Sequence, residues 1–183
     1  MMRIGDLLLP DYELLRHTPM PETDPLTEAG ALQEAQLLGV KFDVLSGVAG
    51  LLFELRVALQ LRETNTGVLI AHGVREMTWS GPSRDTPLTA WTVAGCEPQS
   101  IDGLFALQLG MWPAPGAQLS LKAESAAFFT GDVLGLTEAP PNYANHDRAT
   151  LGSEVADWDS FFEPISAVFF DGASAGRGGL GSE

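Results

Sequence analysis

The stretch that decides the fold is GVKFDVLSGVAGLLFELRVALQL, residues 39–61. It holds two apolar runs separated by Leu45, Ser46 and Gly47, a combination that favours a turn between two extended segments. In the second run Ala49, Leu51, Phe53, Leu55, Val57 and Leu59 fall on one strand face, and Leu52, Glu54, Arg56 and Gln60 make up the more polar opposite face. This reads as a β-hairpin. A helix over 48–61 is the rival, because Leu51, Leu55, Ala58 and Leu59 also recur at helical spacing.

Upstream, TEAGALQEAQLL (27–38) contains good helix formers behind a possible cap at Thr27, with Gly30 weakening a helix. The alternative is a strand from about Ala35, with Gln36, Leu38, Val40, Phe42 and Val44 on one face. Residues 1–24, broken by Pro10 and Pro21, read as an N-terminal arm that Leu7, Leu8, Leu9, Tyr12, Leu14 and Leu15 pin to the body.

Downstream, GVLIAHGVREMTWS (67–80) has strand composition. Gly73 marks a bulge that moves the apolar face from Leu69 and Ala71 to Val74. GPSRDTP (81–87) is a loop, and AWTVAG (90–95) is a short strand that Glu97 and Pro98 end. Residues 103–110 and 117–130 are two further strands joined through PAPG (113–116). Ile165, Val168 and Phe170 support a terminal strand, and the residues after Asp171 form a glycine-rich tail.

Short adjacent strands without intervening helices favour antiparallel pairing over βαβ crossovers. The expected fold is therefore mainly β or α+β: an antiparallel sheet forming a sandwich or partly closed barrel, with one or two short helices. The expected organisation is an arm (1–24), one β-rich domain (25–171) and a tail (172–183), since 183 residues suit one domain.

Hydrophobic residues make up 45% of the chain and charged residues 19%, which fits a folded globule rather than an acidic disordered segment. The 24 acidic residues outnumber 10 Lys and Arg, leaving a formal charge of −14. That field repels phosphate backbones and anionic bilayers and attracts basic surfaces. Neither nucleic acid nor a membrane is expected as a partner. With Cys96 the only cysteine and no apolar run near bilayer length, a cytoplasmic location is expected.

Chemical motifs are scarce. His17, His72 and His146 are dispersed and none begins HExxH, Cys96 has no local activating histidine, and no serine sits in GxSxG. No cofactor is expected. The segment from Asp132 to Glu163 stands out, with seven carboxylates and one Arg. Asp147 is placed to cap a short helix running to Val155, and Trp158, Phe161 and Phe162 are placed to anchor the loop. The leading expectation is a non-catalytic protein-binding module, of the inhibitor or toxin-neutralising immunity type. Tyr143, Asp147, Glu154, Asp157, Trp158, Asp159 and Phe161 would meet a basic protein surface. The alternative is a small-molecule hydrolase or ligand-binding domain with a pocket near His146 and Asp147.

Overall fold

A computed structural model describes residues 1–9, 13–82, 90–143 and 148–172. Its eight antiparallel strands are β1 (Met2–Arg3), β2 (Gln36–Asp43), β3 (Val48–Glu54), β4 (Thr66–Ser80), β5 (Trp91–Ile101), β6 (Leu104–Trp112), β7 (Ala117–Val133) and β8 (Phe161–Asp171). The strand order is β1-β8-β7-β4-β3-β2-β5-β6, and β6 also pairs with β7. Strands β7, β4, β3, β2, β5 and β6 thus close a ring, and β8 and β1 extend from it as a wing. The seventeen-residue β7 serves both parts: Ala117–Ala123 pairs with β6 and Ser125–Val133 with β8.

The hairpin forms as the sequence indicates, with Val48–Glu54 in a strand and not a helix. Ala49, Leu51 and Phe53 face the interior of the ring together with Leu69, Phe105, Leu107, Leu119, Leu121 and Phe128. The other face of β3 departs from expectation, because Gly50, Leu52 and Glu54 are buried as well. Ile4, Leu7 and Leu8 from one end of the chain, and Leu136, Val155 and Trp158 from the other, lay a second apolar layer over β3, β4, β7 and β8. The sheet is therefore covered on both sides there, and strand alternation loses its polar half.

Several boundaries differ from the sequence reading for identifiable reasons. Residues 25–34 form turns rather than a helix, with Gly30 and Glu34 both at positive φ. Their apolar side chains Leu26, Ala31, Leu32 and Ala35 are buried, and most of them join Ala58 and Leu61 in the ring core. In β2 a register shift between Leu37 and Gly39 sets Val40 and Phe42 opposite the ring-facing Leu51 and Ala49 while Leu38 joins the outer layer, so the expected single face is broken. Gly73 has a φ of 62°, and the interior face does pass from Leu69 and Ala71 to Val74; the register irregularity itself lies between Val74 and Glu76.

Strand β5 continues through Pro98 to Ile101. At Pro98 it pairs with β6 alone among the described residues, and an edge position tolerates a residue without N–H. Its outer edge nearer Trp91 is met by the turn segment: Gly30 N–H donates to Cys96 O (2.8 Å) and Glu34 N–H to Val93 O (2.9 Å). The helix expected up to Val155 is shorter, with α1 at Arg148–Leu151 followed by one 3-10 turn at Gly152–Glu154. The tail from 173 onward lies outside the described residues.

Candidate functional site

The acidic segment is fixed to the sheet by a buried ion pair. Glu54 ends β3 with its side chain fully buried, and Arg56 returns to it two residues later, Nη2 to Oε2 at 2.6 Å and Nε to Oε1 at 2.8 Å. The guanidinium also donates to the carbonyls of Thr137, Ala139 and Glu154. One cation thus ties both arms of the 134–156 loop to the strand end. Burial works against the charge on Arg56, and the hydrogen bond and charge of Glu54 outweigh it, raising the guanidinium pKa. The hydroxyl of Tyr143 is buried, with no hydrogen-bond partner among the described residues. Burial, then the Glu54 charge, pushes its pKa well up. Tyr143 therefore directs its polar end inward, toward the ion pair.

Past this clamp the chain forms a tight turn at 157–160. Asp157 Oδ1 accepts from the backbone N–H of Asp159 and from Ser160 Oγ, both at 2.9 Å, an Asx-type closure. The N-terminal segment zips onto this turn: Gly5 N–H donates to Trp158 O (2.8 Å) and Ile4 N–H to Ser160 O (3.1 Å). Trp158 packs inward above Gly50, where a Cβ would stand 2.9 Å from its ring, and Lys41 Nζ lies 5.2 Å from the ring centre.

Phe162 is fully buried, but Phe161 is 54% exposed. Phe162 thus supplies the expected anchoring, while Phe161 points outward. Beside Phe161 lies a groove of about 620 Å³ lined by Met1, Leu134, Leu136, Val155, Asp157 and Ser160. The carboxylates of Glu154, Asp157, Asp159 and Glu163 are exposed along this end of the molecule. Arg3 spans the rim, its guanidinium 5.5 Å from the Phe161 ring centre and 3.5 Å from Asp159 Oδ1.

Of the sequence-derived residues, Asp157, Trp158, Asp159 and Phe161 share one turn and strand start, and Glu154 follows the groove-lining Gly152 and Ser153. Asp147 and His146 lie outside the described residues. Sequence reasoning missed Leu134 and Met1, which line the groove, and Arg3. The signal for Leu134 was its apolar side chain just beyond the last residue of β7. The groove has apolar walls and an acidic border, suited to holding an apolar or aromatic side chain flanked by cations.

Elsewhere, chemistry is sparse. Among the described residues no group of three or more His, Cys, Asp or Glu converges to hold a metal. Cys96 is buried in the ring, and burial pushes its thiol pKa to about 11. No helix among the described residues is long and apolar enough to cross a membrane. Comparison with family models, curated proteins and solved structures gave no match.

Proposed function

We propose that this chain is a non-catalytic protein-binding module, of the inhibitor or toxin-neutralising immunity type, that meets a basic partner with its Phe161 face. The observation carrying this reading is an aromatic ring left half in water beside an apolar groove, with four exposed carboxylates around it. Carboxylates accelerate encounter with a positively charged surface, and the buried aromatic then supplies most of the local affinity. The clamp of Glu54 and Arg56 supports the reading, because it fixes Thr137, Ala139 and Glu154 to the strand end before any partner arrives and so lowers the ordering cost of association.

The test is affinity capture from the source cell, followed by kinetics with the purified partner. Phe161→Ala should speed dissociation by roughly tenfold or more, the loss typical of a central aromatic contact. Asp159→Asn with Glu163→Gln should slow association, with the difference from wild type shrinking as salt rises. Specific turnover or retention of a small ligand, with no direct macromolecular partner, rejects the proposal.

A further inference from the structure

The Phe161 face already holds a cation, and that cation belongs to the chain itself. Arg3 lies opposite Phe161 in the pairing of β1 with β8. Its guanidinium carbon stands 5.5 Å from the centre of the Phe161 ring, and its Nη1 stands 3.5 Å from Asp159 Oδ1. A planar guanidinium against an aromatic ring, with a carboxylate beside it, is also how an arginine from another protein would be held. Arg3 makes these contacts in the open, since its side chain and that of Asp159 are both more than half exposed. Such contacts are weak in water.

Arg3 is fixed to the protein by its backbone. Its N–H donates to Asp6 Oδ2 (2.9 Å) at the start of the 3-10 turn Ile4–Leu8, and the strand register sets its backbone beside Phe161. The guanidinium can swing away without disturbing either contact. An arginine that arrives on a surface excluding water gains more from the same ring and carboxylate than Arg3 does in solvent.

We propose that the Phe161 ring and the Asp159 carboxylate form a receptor site for an arginine side chain of the basic partner, and that Arg3 is its internal occupant, which the partner displaces. This rests on the use of the Phe161 face argued above and adds the chemistry of the residue that face takes. The sign of one effect follows. Removing the Arg3 side chain should strengthen binding, because molecules whose site is already filled no longer count against the incoming arginine.

The probe is N-acetyl-L-arginine methylamide, titrated into the full chain at low salt while the amide resonances of Asp159 and Phe161 are followed. Arg3→Ala should bind it about threefold to tenfold more tightly than wild type. Arg3→Gln keeps a longer side chain at the position and should show the same gain, which guards against a local change of fold in the alanine variant. Arg75→Gln removes an equal charge beside Glu124, at the other end of the pairing of β7 with β8, and should match wild type. In the Arg3→Ala background, Phe161→Ala and Asp159→Asn should each weaken binding about threefold or more. Arg3 variants that bind the probe no more tightly than wild type overturn the proposal. So does an equal gain in Arg75→Gln, which would reduce the effect to net charge. The titration uses no partner, so its failure is distinct from failure to capture one.

Discussion

Glu54 and Arg56 form the most heavily buried ion pair in the described structure, and their worth lies in what breaks when one is removed. Glu54→Ala leaves a guanidinium under the loop without its counter-charge, and the expected loss is about 3–5 kcal/mol in chemical denaturation. Tyr143→Phe should change stability by less than about 1 kcal/mol in chemical denaturation, because the hydroxyl it deletes is buried beside Glu54 and Arg56 without a hydrogen bond of ordinary geometry among the described residues. His72 offers a pH handle. Burial depresses its folded pKa below the ordinary 6.5. As pH falls through 6.5 the unfolded chain takes up the proton first, so this contribution is intact above 6.5 and declines below it until the folded imidazole titrates. Denaturation midpoints between pH 7.5 and about 5.5 should show the decline, and His72→Gln should flatten that part of it. None of these roles could be read from the residue alone, since Glu54 looked like a solvated strand position and became buried only through residues distant in sequence.

At the scale of elements, β3 owes its second buried face to a missing side chain. A Cβ on Gly50 would stand 2.8 Å from Leu8 and 2.9 Å from the Trp158 ring. Gly50→Ala should therefore lift the N-terminal 3-10 helix and the 157–160 turn off the sheet together, costing about 1–3 kcal/mol and increasing amide exchange at Gly5, whose N–H bonds Trp158 O. The hairpin was legible because Ala49, Leu51 and Phe53 alternate cleanly on a face that is apolar throughout. Strand ends were less so: Pro98 reads as a terminator wherever both sides of a strand are paired, and only the β5 neighbours reveal that among the described residues it pairs on one side there. The acidic turn was legible as composition. Its geometry was not, because two adjacent phenylalanines that look alike in sequence part company, Phe162 inward and Phe161 outward.

For the whole molecule, closure of the ring depends on β6 meeting β7 and β2 meeting β5, and the second of these joins Gln36 to Thr92 across much of the chain. Local patterning carries no trace of such a pairing, so sandwich and barrel stay equivalent from sequence. The charge imbalance, in contrast, is a property of composition. Five of the described cations are matched to carboxylates in ion pairs, leaving many acids to repel one another. Moderate salt should accordingly raise the thermal midpoint by screening that repulsion, even as it slows encounter with a basic partner. Calorimetry in a salt series at fixed pH checks the sign.

The pairing of β1 with β8 sets Met2 against Phe162, the first described strand against the last. During synthesis Ile4 and Leu7 leave the ribosome without the surface they will cover, and at roughly 5–20 residues per second they wait on the order of ten to thirty seconds for β8. The nascent chain thus carries an uncovered apolar segment over that interval. Shielding of that segment by a holdase chaperone until β8 arrives would keep the chain from aggregating.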